Sequence, residues 1–291
     1  MRIVRFQRNG RTGEGILEAD IIQLVGLWRD GAPEDLPFLL PGLPPGDLVA
    51  SGETVALGDV TLAMPLDATR KIICVGMNYR DHTNEIKVDV AENPVLFTRP
   101  LDSLVAHGAP LVHPRISETF DFEGEIALVI GREGRHIQAE DALSHVFGYT
   151  CFMDGSVRAY QRHSLTAGKN FWRSGAIGPW IKTADGVDPA ALALQTRLNG
   201  EIVQQGRADD LIFSIPQIIA YCSRFTPLRP GDVIATGTPG GVGSRRTPPL
   251  WLRPGDRVEV EVGQVGLLSN VVDDVAGGPA DPASAGEHGR V

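Results

Sequence analysis

Acidic residues stand directly before an unbroken apolar run in segment 120–131, and this arrangement limits the folds open to the chain. Asp121, Glu123 and Glu125 alternate with other residues, and residues 126–130 are all apolar. Residues two apart on a β-strand point to the same face, about 6.5–7 Å from one another. A short, wholly apolar run is typical of a strand buried on both faces. The pattern therefore predicts two or three carboxylates at the mouth of a buried core.

Carboxylates this close repel one another unless water screens their charge or a cation neutralises it. For an isolated pattern of this kind, a solvated strand end is the ordinary interpretation. Gly124 favours a site instead, because it removes the side chain between the acids and lets a backbone or a ligand approach closely. The apolar strand that follows also favours a site.

Asp154 ends a second apolar strand, predicted over 149–153. It is either the N-cap of a following helix or a third carboxylate beside Glu123 and Glu125. In the second case the three form an all-oxygen anionic site, which suits Mg²⁺, Mn²⁺ or Ca²⁺. Zn²⁺ is disfavoured, because no paired Cys or His spacing is present.

Two pairs of polar residues at helical spacing accompany these acids. His82 and Glu85 are three residues apart, so a carboxylate can orient the imidazole for general-base work. Arg158 and Gln161 are also three apart, and they can bind a carboxylate and a carbonyl oxygen of a substrate. The alternative in both cases is an ordinary polar helix surface.

Two Gly-rich segments offer further contacts. Lys169 lies in one of them, where it is either an electrophilic cation or a surface lysine. Segment 234–243, IATGTPGGVG, offers backbone N–H groups and Thr238 to an anion. The segment matches neither of the nucleotide-binding patterns GxxxxGK[ST] and GxGxxG. The chain also has no GxSxG motif. Nucleotide binding and serine-hydrolase chemistry are therefore not supported.

We expect three parts: a small β-rich N-terminal domain over 1–65, a larger domain over 66–275 that carries the candidate site, and a disordered tail over 276–291. Asn199-Gly200 between two alternating runs predicts a hairpin. Helices do not alternate regularly with strands, which favours an α+β fold. The predicted strands of the larger domain are 72–75, 95–98, 125–130, 149–153, 233–236 and 257–262, and its predicted helices are 138–145, 156–163 and 215–224.

Composition adds three constraints. The net charge of −9 argues against a nucleic-acid or anionic-membrane partner. The three cysteines lie apart in apolar stretches, which predicts buried free thiols in a reducing compartment. No signal peptide or apolar run of membrane-spanning length is present, so we expect a cytoplasmic protein.

Taken together, these segments resemble the fumarylacetoacetate hydrolase family, from about Lys71 to Asp274 and in family order. The motifs that carry the resemblance are G-x-N-Y-x-x-H-x-x-E (Gly76, Asn78, Tyr79, His82, Glu85), E-x-E (Glu123, Glu125), D-x-S-x-R-x-x-Q (Asp154, Ser156, Arg158, Gln161), the Lys169 segment, GPW (Gly178, Pro179, Trp180) and TGTPGGVG. Gly155 and Met153 depart from residues common in the family.

The resemblance implies a mixed β-roll or β-sandwich catalytic domain, a homodimer, and Mg²⁺ or Mn²⁺ bound by Glu123, Glu125 and Asp154, with Ca²⁺ as a substitute in a crystal. It also implies roles for seven other residues. His82, Glu85 and Lys169 would be catalytic, and Tyr79, Arg158, Gln161 and Thr238 would bind a small 2-oxo or 2,4-dioxo acid.

The activity expected from the resemblance is hydrolysis of a carbon–carbon bond in a 2,4-diketo acid such as an acylpyruvate or fumarylpyruvate. His82 would activate water, the metal would stabilise the departing enolate, and Lys169 and Gln161 would stabilise the oxyanion. One alternative is a metal-dependent decarboxylase or isomerase of 2-oxo or 2-hydroxy-diene dioates in aromatic catabolism. A second is a non-catalytic metal-binding homologue.

Overall fold

The computed structural model describes residues 1–43, 47–86 and 89–274, so the tail expected over 276–291 lies outside the described residues. Strands dominate this part of the chain and the helices are short, which confirms the α+β class. Cys74, Cys151 and Cys222 are free and buried, as the sequence predicts. None of the helices in the described ranges is long and apolar enough to cross a membrane.

The N-terminal residues form short strands joined mainly by tight turns. Their bounds are β1 Arg2–Arg8, β2 Arg11–Glu18, β3 Ile21–Val25, β4 Arg29–Asp30, β5 Ala50–Ala56 and β6 Thr61–Leu62. The β1–β2 turn consists of Asn9 and Gly10, which both take positive φ. Such a two-residue turn matches the twist of the strands it joins.

The remaining strands and the helices follow in chain order. The strands are β7 Ile72–Gly76, β8 Val95–Thr98, β9 Leu104–Val105, β10 Leu111–Val112, β11 Phe120–Asp121, β12 Gly124–Ile130, β13 Val146–Met153, β14 Ser156–Val157, β15 Gly175–Thr183, β16 Ala193–Leu198, β17 Glu201–Arg207, β18 Val233–Ala235, β19 Arg257–Val262 and β20 Gly266–Asp273. The helices are α1 Arg80–Ile86, α2 Arg158–Gln161, α3 Leu165–Lys169 and α4 Ile215–Phe225.

One sheet runs through both parts of the chain. β1 pairs antiparallel with β15, and Ile3 lies opposite Ile181. Among the described residues this sheet has thirteen strands, and its main path is β5-β3-β2-β1-β15-β13-β12-β18-β7-β8. A second sheet has the order β10-β20-β19-β16-β17, and β11 pairs with β14. The N-terminal strands are therefore continuous with the larger sheet.

β12 separates two hydrophobic cores. Ile126, Leu128 and Ile130 pack in the larger core, and Ala127 and Val129 pack in the second. Alternate residues of a strand face opposite sides of a sheet, so both faces of β12 are covered. This explains why the strand is apolar without alternation, and why acids at its start lie next to a dry interior.

All six strands predicted in the larger domain are present, with small differences at some of their ends. β8 and β19 have the predicted bounds, and the Asn199-Gly200 turn joins β16 to β17 with positive φ at both residues. Hydrophobic pattern and turn chemistry are local signals, and these elements depend on little else.

Two predicted helices are wrong in extent. Segment 138–145 contains only a 3₁₀ turn at Ala142–His145. The first two residues of the helix predicted over 156–163 form strand β14, which pairs with β11, so α2 begins at Arg158. Asp154 is therefore not the N-cap of α2. The helix predicted over 215–224 is present as α4.

Candidate metal-dependent active site

Three buried carboxylates meet where β12 and β13 pair. Gly124 lies opposite Met153 in this antiparallel pair, so Glu123 and Asp154 are adjacent, and the Asp154 N–H donates to the Glu123 carbonyl at 2.8 Å. Oxygens of Glu123, Glu125 and Asp154 all lie within 4.8 Å of one another. All three residues are at most 5% exposed, so a solvated strand end is not observed.

Basic side chains hold two of these acids. Lys169 Nζ lies 2.6 Å from Glu123 Oε2 and 2.5 Å from Asp154 Oδ2. Arg99 donates to Asp154 Oδ1 at 2.6 Å, and Arg158 Nη2 lies 2.6 Å from Glu123 Oε1. Each acid is therefore held between two cations. Charge-assisted contacts of this kind fix both position and orientation.

Glu125 has no basic partner at this distance among the described residues. Its Oε2 accepts the Gly237 N–H at 2.9 Å, and no hydrogen bond from the described chain reaches Oε1. Burial, followed by the charge of Asp154, raises the pKa of Glu125 well above its ordinary value. Burial alone would also raise the pKa of Glu123, but its two basic neighbours lower it to about 2. Glu125 is therefore the acid of the cluster whose ionised form the described chain stabilises least, so a bound cation would favour its ionisation most.

The charges of the cluster fit a divalent cation. Asp121 is a fourth buried acid beside the cluster, and Arg158 Nε donates to it at 2.7 Å. If all four acids are ionised they face three bases within the described chain, so the ionised form of one acid has no basic partner there. An unpaired buried charge is costly, and a cation among Glu123, Glu125 and Asp154 would offset it. An anionic, all-oxygen donor set is the kind that hard divalent cations prefer.

The Gly-rich loop 237–244 does bind anions, but they are carboxylates of this chain. The backbone donors and their acceptors are Gly237 to Glu125, Gly240 to Asp81, Gly241 to Glu85, and Gly243 and Ser244 to Asp121. The prediction that these N–H groups receive an external anion therefore needs correction. The loop instead connects the start of β12, helix α1 and β11.

Helix α1 carries His82 to the cavity, and two carboxylates position it. His82 Nδ1 lies 3.3 Å from Glu85 Oε2, and the Gly241 N–H donates to Glu85 Oε1 at 3.1 Å. Asp81 accepts the backbone N–H of His82 at 2.7 Å and that of Gly240 at 3.1 Å. His82 Nε2 has no hydrogen-bond partner within the described chain. This nitrogen is therefore available to a ligand.

A cavity of about 590 Å³ contains these groups. His82, Glu123, Glu125 and Lys169 line it together with Thr238. Its other lining residues include the apolar Leu165 and Trp251 and the basic Arg162 and Arg245. The volume lies within the range of about 300–1,000 Å³ that is typical of small-molecule sites.

Three of the residues expected to bind substrate also line the cavity, but most of their polar atoms already have partners in the protein. The guanidinium of Arg158 contacts Asp121, Glu123 and Gln161. The Thr238 hydroxyl donates to the Gly124 carbonyl at 2.9 Å and accepts from Gln204 at 2.8 Å. Gln161 accepts from Arg158 through Oε1, which leaves its amide N–H groups for a ligand.

Tyr79 is placed differently from the other expected substrate residues. It is fully buried in the larger core, it does not line the cavity, and its hydroxyl has no partner within the described chain. Burial, together with the charge of Glu125, raises the pKa of its phenol. We therefore leave Tyr79 out of the proposed substrate site.

Sequence reasoning missed Arg99 and Gln204. Arg99 follows β8 in a Thr-Arg-Pro step, and Gln204 lies in β17. No spacing in the sequence links either residue to the acidic strand, because long-range pairing brings them there. A buried position for Arg99 is signalled only weakly, by its place directly after an apolar strand.

Two family models match the chain. One, described as fumarylacetoacetate hydrolase C-terminal, matches residues 71–273. The other, described as Rv2993c-like, N-terminal, matches residues 1–65.

Similar proteins include two enzymes and one solved structure. The chain is 41% identical over 224 residues to an oxaloacetate tautomerase of Bacillus subtilis, covering 75% of this chain and 74% of the relative. It is 40% identical over 230 residues to a mitochondrial oxaloacetate tautomerase of Homo sapiens, covering 77% and 73%. A fumarylacetoacetate hydrolase structure from Exiguobacterium antarcticum matches with a TM-score of 0.82 and 35% identity, over 94% of this chain and all of that one.

Proposed function

Because the chain belongs to the fumarylacetoacetate hydrolase family, we propose that it is a divalent-metal-dependent isomerase that interconverts the keto and enol forms of a 2-oxo acid. The observation that carries this proposal is the cluster of Glu123, Glu125 and Asp154. Its two glutamates line the same cavity as His82. A cation site beside an oriented imidazole is suited to moving a proton next to a ketone.

The relatives favour isomerisation over the carbon–carbon hydrolysis expected from the sequence. Both curated relatives described above carry the name oxaloacetate tautomerase. Keto–enol conversion moves one proton from carbon to oxygen and consumes no water. The isomerase alternative therefore has better support than the hydrolase interpretation.

His82 is the residue proposed to move the proton. In the keto-to-enol direction, Nε2 takes a proton from carbon 3 and delivers it to the oxygen on carbon 2. Glu85 accepts the Nδ1–H, which selects the tautomer whose lone pair is on Nε2. The reverse steps return the enol to the ketone, so no atom is gained or lost.

Other residues act by position and charge. When bound, a divalent ion supplies electrostatic stabilisation for the negative charge that develops during enolisation. Burial alone would lower the pKa of Lys169, but Asp154 and Glu123 raise it, so Lys169 is a cation. It adds positive charge and holds the two acids in place. The free amide of Gln161 is proposed to donate to a substrate oxygen.

Mg²⁺ and Mn²⁺ are the proposed metals, since both accept all-oxygen sites. A homodimer and a place in the cytoplasm are also proposals carried over from the sequence. The human relative is described as mitochondrial, so localisation does not follow from family membership.

A second candidate is hydrolysis of an acylpyruvate. The observation in its favour is the similarity to the Exiguobacterium antarcticum structure, which carries the name of a hydrolase. His82 would then deprotonate water instead of carbon. The two candidates differ in the mass of the product, because hydrolysis adds the atoms of one water molecule.

The test starts from the enol form of oxaloacetate with Mg²⁺, follows the loss of enol absorbance and identifies the product by mass. We expect the keto acid at unchanged mass. His82→Gln should lower the rate by at least about tenfold, since a positioned base contributes roughly 10²–10⁴. His136→Asn, at an exposed histidine outside the cavity, is the control. Loss of CO₂, or turnover only of acylpyruvates with gain of water, contradicts the proposal.

A further inference from the structure

Arg162 and Arg245 line the cavity, and their side chains have no partner within the described chain. Both are exposed, and neither side chain makes a hydrogen bond, ion pair or ring contact with the described chain. The cavity's other strongly basic residues, Arg158 and Lys169, are in contact with Glu123 and other acids. The free positive charge of the cavity wall therefore belongs to Arg162 and Arg245.

Arg245 lies on a well-anchored backbone although its side chain is free. It ends the 3₁₀ turn Gly243–Arg245, and Asp121 accepts the Gly243 N–H at 2.8 Å. The neighbouring Arg246 donates instead to two backbone carbonyl groups, at 3.1 and 2.6 Å. Of these two adjacent arginines, one is used to hold the loop and the other is left to the cavity.

Arg162 is anchored in a comparable way. It directly follows Gln161 at the end of α2, and its backbone N–H donates to Tyr160. The start of this helix is fixed through Arg158, which contacts Asp121. Both free arginines are therefore attached to elements that Asp121 holds.

We propose that Arg162 and Arg245 bind the distal carboxylate of a dicarboxylic 2-oxo acid, an inference that rests on the proposed function. The carboxylate next to the ketone would lie at the metal cluster, where a bound divalent ion would supply its counter-charge. A second carboxylate on the substrate needs its own cations, and guanidinium groups match carboxylates with two parallel N–H donors. A monocarboxylic substrate with an apolar tail would leave both arginines unused.

The apolar wall residues give the competing interpretation. Leu165 and Trp251 line the same cavity and would accept an acyl chain. That substrate class predicts that loss of the arginine charges has no effect on binding, or improves it. The two interpretations therefore give opposite results for the same variants.

The test measures the binding of two unreactive ligands to the Mg²⁺-loaded protein by calorimetry. Malate and 2-hydroxybutyrate share the 2-hydroxy acid end and differ in the distal carboxylate. We expect malate to bind more tightly to the unaltered protein. Arg162→Gln and Arg245→Gln should each weaken malate binding about tenfold, as expected for loss of a charge-assisted hydrogen bond. The binding of 2-hydroxybutyrate should stay within about twofold.

Arg135→Gln is the matched control, because Arg135 is exposed, lacks a partner in the described chain and lies outside the cavity. It should change neither affinity. The proposal is overturned if malate has no advantage in the unaltered protein, or if the double variant Arg162→Gln/Arg245→Gln keeps that advantage. Because neither ligand reacts, this outcome is independent of whether the protein tautomerises oxaloacetate.

A kinetic measurement separates the two proposals further. If the protein tautomerises oxaloacetate, the double variant should raise KM while kcat stays within about twofold. The reason is that the arginines would contact the distal carboxylate and take no part in the proton transfer by His82. An arginine-dependent preference for malate without any tautomerase activity would contradict the proposed function and leave the dicarboxylate site standing. Tautomerase activity with an unchanged KM in the double variant would support the proposed function and contradict the dicarboxylate site.

Discussion

Arg99 is 3% exposed, and its guanidinium contacts Asp154, Ser103 and Ser174. Removal of Arg99 would leave Asp154 with Lys169 as its one remaining cation within the described chain, and loss of one partner of a buried ion pair typically costs about 3–5 kcal/mol. We expect Arg99→Met to lower the free energy of unfolding by about that amount, measured by urea denaturation. Arg99→Lys should recover part of the loss, because it restores the charge but not the fork of donors.

The control for Arg99 is an arginine on the surface. Arg115 lies 3.7 Å from Asp274, and both side chains are more than half exposed. Exposed pairs contribute at most about 1 kcal/mol, so Arg115→Met should change the free energy of unfolding little. Equal, small effects of the two substitutions would show that Arg99 does not stabilise the buried carboxylate of Asp154.

At this same scale, the sequence supports some site residues and not others. Strand alternation indicates Glu123 and Glu125, and the end of an apolar strand indicates Asp154. Arg99 could not be found in this way, because its contact with Asp154 depends on the packing of a loop against a distant strand. The hydrogen-bond acceptors of the Gly-rich loop were missed for a related reason: composition predicts donors, but not which carboxylates reach them.

Among the elements, the loop 237–244 and helix α1 act as a unit. Gly241 has a φ of +94°, and a Cβ there would lie 2.4 Å from the Val203 carbonyl oxygen. Gly241→Ala must therefore shift the backbone at residue 241, whose N–H donates to Glu85. Strain of this kind costs about 1–3 kcal/mol. We expect lower stability by that amount and a fall in kcat, because Glu85 and His82 lose their common support.

Gly263 provides the comparison for this variant. It lies in the turn between β19 and β20, and a Cβ there would come no closer than 3.7 Å to the Ala193 carbonyl oxygen. Gly263→Ala should leave both thermal unfolding and kcat nearly unchanged. If Gly241→Ala behaves in the same way, the loop does not position α1.

Element boundaries show where local patterns lose their value. Strands β8 and β19 follow from the hydrophobic pattern alone, and the turn at residues 199–200 follows from its turn chemistry. The helix predicted from residue 156 starts two residues late, because pairing of β14 with β11 overrides the local preference at that point. Segment 138–145 has helical composition, but in the folded chain it forms no α-helix, and only its second half is a 3₁₀ turn.

At the scale of the whole molecule, the N-terminal strands β1 to β6 extend the large sheet. β1 covers the edge of β15, and Ile3 and Ile16 pack in the same core as Ile181. A chain that begins at residue 66 would expose that edge and part of that core. Exposed edges and apolar patches promote association.

We therefore expect the fragment 66–291 to unfold at a lower temperature than the full chain and to form larger species in size-exclusion chromatography. Adding the separate 1–65 segment should reverse part of this association if the two pieces pair as β1 and β15 do. A fragment that stays monodisperse, with an unchanged unfolding temperature, would show that the shared sheet adds nothing to stability. The two family models would then describe independent domains.

Deuterium exchange at carbon 3 of oxaloacetate reports directly on the enolisation proposed for this protein. In D₂O with Mg²⁺, proton NMR should show exchange that is faster with the protein than with Mg²⁺ alone, without release of CO₂ or gain of water. The Glu125→Gln variant, measured at the same Mg²⁺ concentration, is the control for exchange caused by the free ion. We expect this variant to show no acceleration over Mg²⁺ alone. Exchange that is equally fast with Glu125→Gln, or no faster than with Mg²⁺ alone, would contradict a metal-dependent tautomerase.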